Sequence, residues 1–160
     1  MELASFDFRP VIHSAKLVEE RLRIRLKTIG LPVAQARVLN TLDILGAASQ
    51  AELAKAFDLS PSSMSTMTGR LLKAGLVDRR VDPHELRNNI ITLTDRGRGL
   101  LEAIHEQWRA TDDDIAELIG TDKARQIGQL ALELRNAFGK RSLATELAEG
   151  RKGKSPDHRD

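Results

Sequence analysis

Two helix-start signals, eleven positions apart, restrict the fold of this sequence more than any other feature. The first is the capping box Ser49-Gln50-Ala51-Glu52, in which the serine and glutamate side chains satisfy each other's free backbone N–H groups. The second is Ser60-Pro61, a hydroxyl N-cap followed by proline at the first helical position. Between them there is room only for a short helix ending near Phe57 and the tight connection Asp58-Leu59. This arrangement predicts a helix-turn-helix.

The second helix of this pair, from Ser60 to about Ala74, has two chemically different faces. One face is apolar and is expected to pack on the domain through Met64, Met67 and Leu71. The opposite face and its flanks carry small groups and cations, namely Ser62, Ser65, Thr66, Gly69, Arg70 and Lys73. Small side chains allow close approach to DNA, and hydroxyls and cations bind base edges and phosphates. The polar face is therefore interpreted as a surface for the major groove; the alternative is an ordinary solvent-facing helix.

Two β-like runs, 76–81 and 89–94, follow this helix and are joined by a segment that contains proline and asparagine. They predict a β-hairpin, which makes the helix-turn-helix winged. Between Ser60 and Arg98, seven cations minus four acids give +3, whereas the whole chain carries +2. Positive charge is therefore concentrated in the segment that would face DNA.

The hairpin contributes three predicted DNA contacts, Arg79, Arg87 and Asn88. Arg87 lies near the tip, where a guanidinium can enter the narrow minor groove or bind its phosphates. For Arg79, as for its neighbour Arg80, an ion pair with Asp78 or Asp82 is an alternative explanation.

The segments before and after this region predict long amphipathic helices. Helices are expected from about Arg9 to Ile29 and from Val33 to Leu45, and Gly46 is expected to cap the second. From Thr94 onward apolar residues recur three and four positions apart, as in a coiled-coil seam. A last helix follows Gly120-Thr121.

These apolar faces exceed what a small winged-helix core can cover, which favours a two-fold dimer over a monomer whose helices fold back as a bundle. The predicted interface residues are Val11, Val18, Leu101, Trp108, Ile115 and Leu134. The predicted fold is mainly α with a small β-hairpin wing, a winged helix-turn-helix flanked by dimerisation helices. It is predicted to have four parts. They are an N-terminal dimerisation helix (1–30), a DNA-binding domain (31–98), C-terminal dimerisation helices (99–138) and a charged, partly disordered tail (139–160).

The stretches LSPSSMSTMTGRLLKAGLV and VDPHELRNNIITLT, together with the DRG that follows them, resemble the DNA-binding region of MarR-type regulators. The resemblance covers roughly residues 10–138. It implies an obligate homodimer on a near-palindromic operator, with Ser62, Ser63, Ser65 and Thr66 facing the major groove and Arg87 in the wing. The sequence departs from the family pattern at Thr66, where members often carry a basic residue, and at Glu85-Leu86-Arg87, where they often carry Asp-Arg-Arg.

Regulators of this type usually respond to a small anionic or phenolic ligand between the dimer helices and the DNA-binding lobe. The polar residues that this resemblance suggests for such a site are His13, Lys16 and Arg37, with Trp108 as an apolar wall. A surface role for His13, an ion pair for Arg37 and seam packing for Trp108 are the alternatives. The function implied is a sequence-specific DNA-binding regulator, a repressor released by its ligand; a winged-helix protein-interaction module is the alternative.

Several other classes of function are disfavoured by the composition. The chain has no cysteine, which excludes disulfides, thiolate metal sites and cysteine nucleophiles. Neither a catalytic triad order nor a glycine-rich phosphate loop nor an HExxH motif is present, so no enzymatic activity, metal or cofactor is expected. Asp112-Asp113-Asp114 is interpreted as a solvated acidic stretch, since successive helical residues point in different directions. With no secretory signal and no apolar run of roughly 20 residues, a cytoplasmic protein without membrane contact is expected.

Overall fold

The computed structural model describes residues 6–81 and 89–139, and it is mainly helical with one small sheet, as predicted. Its elements in chain order are α1 (Phe8–Lys27), α2 (Val33–Leu45), β1 (Ala47–Ser49), α3 (Gln50–Ala56), α4 (Pro61–Lys73), β2 (Val77–Val81), β3 (Asn89–Leu93), α5 (Asp95–Gly99), α6 (Leu101–Ile119) and α7 (Thr121–Ala137). The hairpin tip, 82–88, and the predicted tail beyond Gly139 lie outside the described residues.

The local signals that predict the helix-turn-helix are all present in the structure. Ser49 N–H donates to Glu52 Oε2 at 2.7 Å, and Glu52 N–H donates to Ser49 Oγ at 3.1 Å. Asp58 has a φ of 51°, the left-handed conformation expected of the tight connection. Ser60 caps α4 by accepting the Ser63 N–H at 3.1 Å, with Pro61 in the first turn. The prediction of two helices joined by a short turn is confirmed.

The sheet has three antiparallel strands in the order β1-β3-β2, one strand more than the predicted hairpin. Strand β1 pairs Ala47 with Thr92 and Ala48 with Ile91. Three small residues directly before a helix show no alternating pattern, which is why the sequence does not reveal this strand. Its pairing partner lies more than forty residues away, and that contact is what makes the segment a strand.

The core lies between α2, α3, α4, the sheet and the start of α6. Its largest fully buried side chains include Leu39, Leu53, Met64, Leu71, Ile91 and Ile104. The predicted inner face of α4 needs one correction, because Met67 is only half-buried and Thr68 is 2% exposed. Thr68 stands one helical turn after Met64, and its hydroxyl donates to the Met64 carbonyl at 2.9 Å. That bond lets a polar side chain occupy an apolar interior.

The helix predicted to run on continuously from Thr94 is divided at Leu100 into α5 and α6. Thr94 caps α5, since its Oγ1 accepts the Gly97 N–H at 3.0 Å. Gly97 and Gly99 lower the helix propensity of this short segment. Leu101, the first residue of α6, lies in the protomer core at 9% exposure, which leaves little of its side chain for a dimer interface.

An ion cluster ties α1 to α6. Arg25 donates through Nη2 to Asp114 Oδ1 at 2.7 Å, and Arg21 Nη1 lies 3.3 Å from Asp114 Oδ2. Hydrogen bonds from Arg25 hold the pKa of the Asp114 carboxyl below its ordinary value of 3.8, although partial burial acts in the opposite direction. Asp112 and Asp113 are exposed, so the interpretation as a solvated stretch is wrong for Asp114 alone.

Asp114→Asn should lower the thermal midpoint at neutral pH, because Arg21 and Arg25 lose their shared carboxylate. A group whose pKa is lowered by folding stabilises the fold above its unfolded pKa and loses that effect as pH falls through the folded value. The difference in midpoint between wild type and variant should therefore be constant above about pH 5 and shrink below the carboxyl's ordinary pKa of 3.8. Thermal unfolding from pH 7 to pH 3 checks this, and a difference that is as large at pH 3 as at pH 7 would contradict it.

Candidate nucleic-acid interface

The polar face of α4 is exposed to solvent. All seven of its predicted members are exposed: Ser62, Ser63, Ser65, Thr66, Gly69, Arg70 and Lys73. On the opposite side Met64, Thr68 and Leu71 are buried, which fixes the rotation of the helix about its axis. None of the large exposed hydrophobic side chains of the described residues belongs to α4. The helix therefore presents a small, hydrophilic surface on a rigid support.

The hydroxyl groups of this face are linked to one another and to the backbone. Ser60 Oγ donates to Ser63 Oγ at 2.9 Å and lies 3.0 Å from Ser62 Oγ. Thr66 Oγ1 donates to the Ser62 carbonyl, four residues earlier, at 3.0 Å. These bonds orient the side chains before any partner is bound, which lowers the entropy lost on binding.

The cations on α4 and β2 form no ion pair with any described carboxylate, whereas Arg98 pairs with Asp95 at 2.7 Å. Arg70 and Lys73 occupy the last turn of α4, and Arg79 and Arg80 stand exposed on β2. Neither Arg79 nor Arg80 forms an ion pair with Asp78. Asp82, the other suggested partner, lies outside the described residues, as do Arg87 and Asn88. Exposed cations without an ion pair among the described residues are available to phosphate.

Thr94 and Gly97 join α4 to the hairpin, a role that was not predicted for either residue from the sequence. Thr94 Oγ1 donates to the Gly75 carbonyl at 2.7 Å, just past the end of α4, and Thr94 N–H donates to the Leu76 carbonyl at 3.2 Å. Gly97 packs so closely on this turn that a methyl group there would overlap the Leu76 carbonyl oxygen. Arg98 Nη1 donates to the Leu93 carbonyl at 3.0 Å, at the end of β3. The helix and the hairpin therefore form one rigid unit.

The residues suggested for an effector do not converge within one protomer. His13, Lys16 and Arg37 are all exposed, and no hydrogen bond or ion pair joins them. The Arg37 guanidinium lies over the Phe57 ring, 5.2 Å from its centroid, at the end of α3. This contact holds Arg37 beside the turn of the helix-turn-helix.

Trp108 is partly buried and packs against the protomer core, so it does not form the wall of an open pocket. Its ring lies 5.6 Å from that of His105. His105 Nε2 in turn lies 2.8 Å from Asn40 Oδ1, which links α6 to α2. The buried Trp108 Nε1 has no hydrogen-bond partner among the described residues.

The predicted interface residues differ in their exposure. Val11, Val18 and Leu134 are 45%, 39% and 40% exposed, Ile115 is half-buried, and Leu101 and Trp108 pack within the protomer. The described part of the chain exposes further large apolar side chains on the same two terminal helices and at the end of α6: Phe8, Ile12, Leu118, Ile127, Leu130 and Phe138. Exposed apolar area of this extent on an otherwise hydrophilic surface marks a contact surface.

In the described residues no group of three or more histidine, aspartate or glutamate side chains is placed to hold a metal ion. Over the same part of the chain, none of the helices has both the length and the apolarity needed to cross a membrane.

Comparison with known proteins gives consistent results. The family model of the MarR family matches residues 29–87. The helix-turn-helix transcriptional regulator FarR of Neisseria gonorrhoeae is 32% identical over 128 residues, 80% of this chain and 78% of FarR. The uncharacterised regulator YhbI of Bacillus subtilis (strain 168) is 26% identical over 158 residues, 96% of each chain.

Solved structures of MarR from E. coli have the same fold. The apo form has a TM-score of 0.72 at 20% identity and covers 81% of this chain and 96% of that one. A mutant of MarR in complex with operator DNA has a TM-score of 0.71 at 20% identity, covering 79% and 92%. The sequence relatives and the capped helix-turn-helix with its wing lead to one assignment: the chain belongs to the MarR family of winged helix-turn-helix transcriptional regulators.

Proposed function

We propose that this protein is a homodimeric regulator that binds a near-palindromic operator in double-stranded DNA, with α4 in the major groove. The observation that carries the proposal is the exposed hydroxyl and cation face of α4, held in place by the buried Met64, Thr68 and Leu71. The major groove is about 12 Å wide and admits an α-helix, provided that the side chains on its outer face are small. Ser62, Ser65, Thr66 and Gly69 meet that requirement.

The remaining DNA contacts in this proposal come from the cations around α4. Arg70, Lys73 and Arg79 bind backbone phosphates, while Arg87 and Asn88 act from the hairpin tip, with Arg87 in the minor groove. Phosphate contacts of this kind fix the position and orientation of the protein on the duplex and make affinity strongly dependent on salt.

The dimer in this proposal is built from residues 1–30 and 99–138, which flank a DNA-binding domain at 31–98. The support is the exposed apolar surface of α1 and α7, which a second copy would cover. A two-fold axis between two copies places two α4 helices about one DNA turn apart, matching the two halves of a palindrome.

The regulatory part of the proposal is a cytoplasmic repressor that a small phenolic or anionic ligand releases from its operator. A dimer bound over a promoter blocks it by steric exclusion. His13 and Lys16 on α1 and Arg37 on α2 are the cationic and polar groups proposed for the ligand; since they are separate within a protomer, such a site would have to form across the dimer.

The competing idea, a protein-interaction module, makes a different prediction about α4. A helix that docks on another protein would expose an apolar stripe, and α4 exposes hydroxyls, a glycine and two cations instead.

The double variant Arg70→Ala/Lys73→Ala tests the DNA interface. Genomic footprinting supplies the operator, and fluorescence anisotropy measures affinity from 50 to 300 mM salt. Each phosphate contact contributes about 0.9 to the slope of log affinity against log salt, so losing four contacts per dimer should reduce that slope by about 3.6.

The matched control for this experiment is Arg125→Ala/Arg135→Ala, which removes two exposed cations from the face of α7 opposite Leu130, outside the winged domain. The control should bind like the wild type at every salt concentration. If the Arg70/Lys73 variant keeps the wild-type slope, those cations do not touch DNA and the proposed orientation of α4 is wrong.

A further inference from the structure

We propose that Thr66 reads an A·T base pair, by accepting a hydrogen bond from adenine N6 and packing its methyl group against the thymine methyl. This inference rests on the proposed placement of α4 in the major groove. Its basis is whether the exposed hydroxyls of α4, after making their internal hydrogen bonds, can still donate to a partner or can only accept.

The Thr66 hydroxyl has already donated its proton inside the helix. Its Oγ1 lies 3.0 Å from the carbonyl oxygen of Ser62, and a carbonyl oxygen can only accept. A threonine hydroxyl has one proton and two lone pairs, so only acceptor capacity is left for an outside partner. Thr66 is exposed, so its side chain is accessible to an outside partner.

Ser62, one helical turn earlier on the same face, has also used its only hydroxyl proton in an internal hydrogen bond. Ser60 Oγ donates its single proton to Ser63 Oγ at 2.9 Å. The contact of 3.0 Å between Ser60 Oγ and Ser62 Oγ must then use the proton of Ser62. Ser62 and Thr66, four residues apart on the exposed face, therefore present acceptors. The side chains of this face that still offer a donor are those of Ser63, Ser65, Arg70 and Lys73.

An acceptor beside a methyl group matches one kind of base pair in the major groove. Guanine presents only acceptors there, N7 and O6, which an acceptor hydroxyl cannot bind. Cytosine presents an amino donor, but the G·C pair carries no methyl group. The A·T pair presents both the N6 amino group of adenine and the C5-methyl group of thymine. Thr66 thus complements A·T in both its polar and its apolar group.

The test combines two protein variants with two base analogues in a selected operator. Thr66→Val keeps the methyl group and removes the acceptor, whereas Thr66→Ser keeps the hydroxyl and removes the methyl group. Purine in place of adenine removes the N6 amino group, and uracil in place of thymine removes the C5-methyl group. Each analogue is placed in turn at every A·T pair of both half-sites, and affinity is measured by anisotropy at fixed salt.

At one A·T pair per half-site, purine should weaken wild-type and Thr66→Ser binding by about fivefold or more and leave Thr66→Val unchanged. At the same pair, uracil should weaken wild-type and Thr66→Val binding and leave Thr66→Ser unchanged. Ser65→Ala removes a neighbouring hydroxyl from the same face. Whatever its own affinity, this variant should keep the wild-type ratio of affinities between the unmodified operator and each analogue, and it serves as the control for specificity.

The outcomes separate this inference from the function on which it rests. If no operator is recovered, the proposed function itself fails. The assignment of Thr66 is overturned, while the DNA-binding proposal stands, if an operator is bound but no A·T pair shows the expected responses. Those are a purine effect that Thr66→Val abolishes and a uracil effect that Thr66→Ser abolishes. An equal loss of affinity by Thr66→Val for the unmodified operator and both analogues would overturn the assignment as well. Matching thermal midpoints for all variants show that the changes come from the interface.

Discussion

Replacing Gly97 with alanine is expected to lower the free energy of unfolding by about 3 kcal/mol, the upper part of the range for overpacked interiors. Gly97 is buried, and an added methyl group would overlap the Leu76 carbonyl oxygen and lie 3.3 Å from Leu93 Cδ2. The obstacle is backbone, so no side-chain rotation can relieve it. The turn that follows α4 and the root of the hairpin would have to separate from α5.

Gly99→Ala provides the matched control within the same short helix. Gly99 is exposed, and a methyl group there meets nothing within 4 Å. Because alanine favours helix over glycine, this variant should be as stable as the wild type or more stable by about 0.5–1 kcal/mol. Urea unfolding of both variants measures the difference. If Gly97→Ala and Gly99→Ala had the same free energy of unfolding, α5 would not pack on the Leu76 turn as described.

Leu130→Asp is expected to convert the proposed dimer into monomers and to weaken operator binding by about 100-fold or more, since two linked half-sites gain that much from avidity. Leu130 is 63% exposed in the protomer and lies on one face of α7 with Ile127 and Leu134. A carboxylate there cannot be buried against a second copy without a large desolvation cost. Sedimentation measures the mass, and anisotropy the affinity.

Leu132→Asp is the control for this prediction. Leu132 is on the same helix and is 47% exposed, but it points away from the stripe formed by Leu130 and Leu134. It should leave both the mass and the affinity unchanged. A dimer that survives Leu130→Asp at micromolar concentration would remove α7 from the interface. Trp108 is less suitable for this test, because it packs against the protomer core and its replacement would disturb the fold as well.

Much of the DNA-binding region could be predicted because its signals are local. A capping box, an N-cap followed by proline and a left-handed Asp58 are determined by residues within four positions of one another. The same holds for the polar face of α4, since helical periodicity alone places Ser62 and Thr66 one turn apart. These features follow from backbone chemistry that acts before distant parts of the chain meet.

The features that could not be predicted depend on contacts between distant residues. Strand β1 exists because Ala48 pairs with Ile91, and Asp114 is paired because α1 brings Arg25 against α6. Thr68 was not among the residues predicted for the inner face of α4, yet tertiary packing buries it, and a backbone carbonyl satisfies its hydroxyl.

The sequence by itself determined that two short helices would meet at a tight turn, with hydroxyls and cations on one side of the second. Cap chemistry and helical periodicity are sufficient for that, since both act over one or two turns. Only the tertiary structure decided that α4, the hairpin and α5 form one unit. That result depends on the absence of a side chain at Gly97, which allows α5 to approach the Leu76 carbonyl, twenty-one positions earlier in the chain.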